Sequence, residues 1–107
     1  MERNLFMAQR ISAMVLGPLV LVHLGLILFA VRNGLSAAEI LERTSGSLLW
    51  AIFYGTFVVA AAIHAPIGLR NILREWTGLP RLPVNFLVTL FGLGLLALGL
   101  RAVVAII

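Results

Sequence analysis

Two histidines are the side chains of this sequence best suited to chemistry, and His64 is the stronger candidate. It lies within a long apolar stretch, with Ala60 one helical turn before it and Gly68 one turn after it. A polar ionisable group is costly inside such a stretch, so by default it marks a functional site. Because the side chains flanking the imidazole are nearly absent, a flat macrocycle could lie against the helix while His64 ligates its iron.

A plainer interpretation of His64 stays open. Its ring could hydrogen-bond a neighbouring helix, while the small residues only allow two helices to pack closely. On spacing alone the two interpretations are equally supported. If a haem does bind, Arg70, six residues further on, is the side chain placed to pair with an anionic propionate.

His23 is the second candidate, in the first apolar stretch. At about 1.5 Å per residue it lies roughly 18 to 20 Å from the N-terminal side of the bundle, and His64 roughly 10 to 14 Å from that side if its helix continues to Trp76. The mismatch argues against both histidines ligating one haem. An interhelical hydrogen bond explains His23 as well as ligation does.

The elements that position these residues follow from composition. Of 107 residues, 62% are hydrophobic and 11% are charged, against about 45 to 50% apolar and about 25% charged in soluble domains. Apolar stretches cover about 11–31, 48–69 and 84–107, near the roughly 20 helical residues that cross a bilayer. We expect an all-α membrane protein, a single transmembrane domain over 1–107 with three transmembrane helices.

The connections carry their own signals. Ser36 is followed three residues later by Glu39, a capping box that predicts a short interfacial helix between the first two spans. Gly78, Pro80 and Pro83 should end the second helix. The N-terminal segment lacks the pattern of a cleaved signal peptide. The glycines of the third span are expected at helix-packing positions; they are Gly92, Gly94 and Gly99.

Charge predicts the orientation. All eight basic residues are arginines, scattered singly at the ends of apolar segments, which favours lipid headgroups over nucleic acid as their partners. Five lie on the side of the N-terminus and second connection, and three on the other side, so the N-terminus is expected in the cytoplasm. The five are Arg3, Arg10, Arg70, Arg74 and Arg81; the three are Arg32, Arg43 and Arg101. The absence of cysteine excludes cysteine-ligated clusters within this sequence.

One segment resembles the second-span motif of the membrane anchors of succinate dehydrogenase, or complex II: His64-Ala-Pro-Ile-Gly68-Leu-Arg70-Asn-Ile-Leu-Arg-Glu75-Trp76. In that family a haem b-ligating histidine is followed by glycine at the fourth place, often arginine at the sixth, and an acidic and an aromatic residue at the eleventh and twelfth. Gln9-Arg10-Ile11-Ser12-Ala13 is similar to the family's arginine and serine or threonine motif near the quinone site. Leu21-Val-His23-Leu resembles a first-span histidine that some anchors use for another haem.

The resemblance implies a cytochrome b556-type anchor in the inner (cytoplasmic) membrane of a bacterium. Haem b would contact His64 as the iron ligand, Gly68, Arg70 and His23. Quinone would contact Arg10, Ser12, Glu75 and Trp76. The implied partners are a second anchor subunit, an iron–sulfur subunit and a flavoprotein subunit, and the flavoprotein would carry the dicarboxylate chemistry.

The sequence departs from the family pattern at two places. The usual acidic-aromatic pair is aspartate-tyrosine, and here Trp76 offers an indole N–H in place of the phenol. Phe6 stands where some members carry a quinone-binding serine. The cluster of Arg10, Arg74, Glu75 and Trp76 is also explained by an ordinary interfacial belt, in which arginine and tryptophan are common.

Two other classes of protein are alternatives to the redox anchor. A haemless structural anchor of a fumarate reductase would share the architecture without the cofactor. A small cation-coupled transporter would need four spans and an acidic residue deep in the first helix, whereas all four glutamates here lie outside the spans or at their ends. The direction of the reaction, succinate oxidation or fumarate reduction, is left open.

Overall fold

The computed structural model describes residues 3–107, and these form four helices without any β-strand. The helices are α1 (Arg3–Asn33), α2 (Ala37–Thr44), α3 (Leu48–Thr77) and α4 (Arg81–Ile106). Three of them, α1, α3 and α4, are long and apolar enough to cross a membrane. The prediction of an all-α membrane protein with three spans and a short helix between the first two is confirmed. The cytoplasmic N-terminus stays a prediction.

The turn between α3 and α4 follows the sequence signals. Gly78 adopts a left-handed conformation, with φ of 66°, immediately after α3, and glycine suits such a helix end because it has no Cβ. Helix α4 begins at Arg81, so Pro83 lies inside its first turn instead of before the helix. Proline is tolerated there because the N–H groups of a first turn have no helical acceptor.

Helix α2 closes the other end of the bundle. The Ser36 hydroxyl accepts a hydrogen bond from the Glu39 backbone N–H at 3.2 Å, so the serine cap of the predicted box forms. The Glu39 carboxylate accepts from the Ser36 hydroxyl at 2.7 Å, and not from the Ser36 backbone N–H as in a full capping box. At the end of α2, Oγ1 of Thr44 donates to the Ile106 carbonyl at 2.8 Å. This bond satisfies a carbonyl in the last turn of α4, for which the helix itself offers no N–H donor.

Helix α3 is the central element, because α1 packs on one side of it and α4 on another. The α1–α3 interface, which we call the first seam, brings Ser12 beside His64 and His23 beside Tyr54. The two helices therefore run antiparallel. Few side chains are buried in this chain, since the apolar surface of a membrane helix is accommodated by lipid and needs no protein core.

Two glycines bring α4 close to α3. A Cβ on Gly92 would lie 2.8 Å from Cγ of Pro66 and 3.3 Å from the Ala62 carbonyl oxygen, and one on Gly99 would lie 2.5 Å from Cγ1 of Val58. Such close approach is the usual reason for glycine between membrane helices. Nothing lies within 4 Å of the same position on Gly94. The expected packing role therefore holds for Gly92 and Gly99, and Gly94 has no such contact among residues 3–107.

We predict that Gly92→Ala destabilises the helix bundle and Gly94→Ala does not. The new methyl group at position 92 meets the rigid Pro66 ring, and overpacking of this kind costs about 1 to 3 kcal/mol. At position 94 the methyl group faces open space, and the higher helix propensity of alanine can add up to about 1 kcal/mol. Unfolding in detergent, followed by circular dichroism, compares the variants. Equal stability of the two would contradict the close α3–α4 contact.

The predicted orientation can be tested with single cysteines, because the native chain has none. Ala38→Cys lies in α2 and Leu79→Cys in the connection between α3 and α4, and both positions are exposed. A membrane-impermeant maleimide should label Ala38→Cys in intact spheroplasts and Leu79→Cys only after lysis. Labelling in denaturant controls for reactivity. The opposite pattern would place the N-terminus outside.

Candidate functional site

His64 is held in the first seam by one of its two ring nitrogens. Its Nδ1 lies 3.3 Å from Oγ of Ser12, and Ser12 is only 5% exposed. The same hydroxyl donates to the Gln9 carbonyl oxygen at 3.0 Å. The other ring nitrogen, Nε2, makes no hydrogen bond to any of residues 3–107 and is not a buried atom. The imidazole is therefore oriented on one side and unengaged on the other.

Helix α1 occupies the space beside the small residues that flank His64. Ala60 is buried, and a Cβ on Gly68 would lie 3.3 Å from Nε2 of Gln9. Both residues thus let α1 approach α3, which is the packing role weighed for them in the sequence. Contact of Gly68 with a porphyrin stays a prediction.

Arg70 is fixed by a residue of α4. Its Nε donates to Oδ1 of Asn85 at 2.7 Å, and the terminal guanidinium nitrogens make no hydrogen bond to residues 3–107. Six residues of helix place Arg70 roughly 9 Å from the level of His64. The bond to Asn85 sets the plane of the guanidinium, and its remaining donors suit an anionic group such as a carboxylate.

Asn85 is the residue that the sequence analysis missed. It is an amide side chain one turn into an apolar span, a costly position that could have singled it out. The predicted span over 84–107 contains Asn85, but the sequence pattern did not single it out. The half-buried Asn85 instead belongs to α4 and reaches across to α3.

The residues predicted to bind quinone do not all come together. Arg10, Glu75 and Trp76 are exposed, Trp76 to 81%. The seam register, set by Gln9 against Gly68, places Arg10 level with about residue 67, so Glu75 and Trp76 lie roughly 12 Å further along the axis. Arg10 and Glu75 make no hydrogen bond or ion pair within the part of the chain that the structure describes. The fourth residue, Ser12, contacts His64, and quinone binding by these residues stays a prediction.

His23 has a different environment from His64. Its ring packs edge-on against Tyr54 and Phe57, with centroids 5.6 and 5.4 Å apart, and its Nδ1 is buried without a hydrogen-bond partner. The hydrogen bond to a neighbouring helix that was weighed for His23 is absent among residues 3–107. His23 also lines a groove of about 760 Å³ near Arg43, at the α2 end of the bundle.

The two histidines lie too far apart to bind one iron. The contact of His64 with Ser12 and that of His23 with Tyr54 lie roughly 15 Å apart along the helix axes. The separation is similar whether it is counted along α1 or along α3. Within residues 3–107 no group of three His, Cys, Asp or Glu side chains could hold a metal ion. An axial haem ligand needs only one imidazole from a chain, because the porphyrin supplies the equatorial nitrogens.

The three apolar helices define a multi-pass membrane protein. A hydrogen-bonded imidazole lies in the seam between two of them. Over residues 2–106 the sequence matches the family of succinate dehydrogenase/fumarate reductase transmembrane subunits. The chain belongs to that family and is a subunit that works within a lipid bilayer. No curated protein and no solved structure matches the chain.

Proposed function

We propose that this chain is the haem b-binding membrane anchor of a succinate:quinone oxidoreductase. The observation that carries the proposal is the unengaged Nε2 of His64 on a ring whose Nδ1 is held by Ser12. Metal-ligating histidines almost always hydrogen-bond through their second nitrogen, which orients the ring. Bound haem b would supply a one-electron redox centre.

Arg70 supports the same proposal. A haem carries two anionic propionates, and Arg70 offers a half-buried guanidinium whose Nε is already anchored on Asn85. The anchored group keeps its terminal donors available, so it can hold a carboxylate without first losing much side-chain freedom. We assign His64 to the iron and Arg70 to a propionate.

The proposed quinone contacts are the exposed donors at the end of the bundle where α3 meets α4. The indole N–H of Trp76 can donate to a quinone carbonyl, and the Glu75 carboxyl can deliver a proton when the quinone is reduced. Arg10 adds a cation about two helical turns nearer the bilayer centre. Ser12 was also predicted here, but its hydroxyl is already shared by Gln9 and His64, so the quinone proposal rests on the other three.

The partners follow from the subunit role. A second anchor subunit would complete the haem and quinone sites. The iron–sulfur and flavoprotein subunits would dock at the basic end of the bundle, on the cytoplasmic face of the bacterial inner membrane, and dicarboxylate chemistry would take place on the flavoprotein. The haemless fumarate reductase anchor is the second candidate, because α1 fills the space beside Gly68 as ordinary helix packing would.

A reduced-minus-oxidised optical spectrum of the assembled complex tests the haem assignment. We expect a b-type band in the wild type, its loss in His64→Leu, and its retention in the matched variant His23→Leu, since His23 lies at a different depth. An unchanged band in His64→Leu would refute the ligand assignment. A wild type without any band would favour the haemless anchor, and a loss confined to His23→Leu would move the ligand to that residue.

Replacing Trp76 with phenylalanine tests the quinone contact. Trp76→Phe keeps an aromatic ring and removes the N–H donor, so kcat/KM for the quinone should fall about fivefold, as expected for the loss of one hydrogen bond worth about 1 kcal/mol. Trp50→Phe, at the α2 end, is the matched control and should leave kcat/KM for the quinone unchanged. Succinate oxidation with a soluble dye should be normal in both variants. Equal quinone kinetics in the two would remove Trp76 from the site.

A further inference from the structure

Ser12 is the middle member of a short polar chain across the first seam. Its Oγ lies 3.0 Å from the Gln9 carbonyl oxygen and 3.3 Å from Nδ1 of His64, and the residue is 5% exposed. A serine hydroxyl has a single proton to donate and lone pairs with which to accept. Ser12 can therefore donate to only one of these two neighbours.

The two possible arrangements differ in the number of bonds they allow. If Ser12 donates to the Gln9 carbonyl, its oxygen can accept the N–H of His64 Nδ1, and both contacts are hydrogen bonds. If Ser12 donates to Nδ1 instead, the contact with the Gln9 carbonyl is lost. The His64 proton must then sit on Nε2, which has no acceptor among residues 3–107. An unpaired N–H at bilayer depth is costly.

We infer that Ser12 is a positioning residue for His64, which holds the ring in its Nδ1–H tautomer and leaves the lone pair on Nε2. That lone pair is what an iron atom requires of a histidine ligand. The inference rests on the proposed haem function, because the tautomer matters for binding iron. The tautomer itself is a property of this chain and exists without haem. It assigns Ser12 to the imidazole and not to the quinone.

The register of the seam makes this role specific to Ser12. Buried in the seam, Ser12 is the α1 residue whose side chain reaches the His64 ring, while Gln9 one turn earlier lies against Gly68. His23, further along the same helix, makes T-shaped contacts with Tyr54 and Phe57 and has a buried Nδ1 without a partner. One imidazole of the seam thus has a hydroxyl to set its tautomer and the other has none.

The tautomer can be read by ¹⁵N NMR of the full-length, haem-free chain in lipid nanodiscs with labelled histidine. The His23→Leu variant assigns the two sets of signals. We expect the wild-type His64 to be protonated at Nδ1, and its tautomer ratio to move about fivefold toward Nε2–H in Ser12→Ala, for one lost hydrogen bond of about 1 kcal/mol. Ser12→Thr, which keeps the hydroxyl, should restore the wild-type ratio.

Thr89→Val is the matched control, because the Thr89 hydroxyl also donates to a backbone carbonyl, that of Asn85, but touches no imidazole. It should leave the His64 ratio unchanged. Circular dichroism and the His23 signals report whether each variant is folded. If Ser12→Thr does not fit the seam, the smaller Ser12→Ala decides alone. A wild-type His64 protonated at Nε2, or a ratio that Ser12→Ala does not move, would overturn the inference.

The inference and the proposed function can fail separately. In the haem-containing complex, Ser12→Ala should lower haem affinity about tenfold, a usual effect of losing the hydrogen-bond partner of a ligand, whereas His64→Leu should abolish binding. If His64→Leu loses haem but the His64 tautomer does not depend on Ser12, only the role of Ser12 is overturned. A tautomer set by Ser12 in a protein that binds no haem supports that role and refutes the haem function.

Discussion

A polar group at bilayer depth has to find its partner inside the protein, because hydrocarbon offers neither donors nor acceptors. In this chain the contact of α1 with α3 provides such partners. Ser12 engages His64 there and also bonds the Gln9 carbonyl. Arg70 also has a hydrogen-bond partner on a neighbouring helix, because Asn85 of α4 accepts its Nε–H. His64 and Arg70 of the central helix are thus each held by a neighbouring helix.

This constraint separates two histidines that look alike in the sequence. Both lie in the first seam, but His64 contacts a hydroxyl and His23 makes T-shaped contacts with the rings of Tyr54 and Phe57. A hydroxyl orients an imidazole and selects its tautomer, whereas aromatic edges only pack against it. The same fold therefore holds one ring by a hydrogen bond and leaves the other with a buried, unpartnered nitrogen.

Helix packing and chemistry are linked through α3. Gly92 and Gly99 allow α4 to come within contact of α3, and this approach is what lets Asn85 reach Arg70. On the opposite side, Gly68 and Ala60 allow α1 to approach, which places Ser12 against the His64 ring. Small residues in this subunit of the succinate dehydrogenase/fumarate reductase family act indirectly, by bringing the polar partners within hydrogen-bond distance.

Much of the architecture could be predicted from the sequence, because bilayer thickness and helix geometry convert apolar length directly into spans. The capping box before α2 and the glycine after α3 follow from local backbone chemistry, and His64 and Arg70 stand out as polar groups in costly positions. The partners of these groups could not be predicted. A helix that is apolar on all sides has no stripe to indicate which face meets a neighbour. Only the tertiary register therefore decided that Ser12 meets His64, that Asn85 meets Arg70 and that Gly94 has no packing contact among residues 3–107.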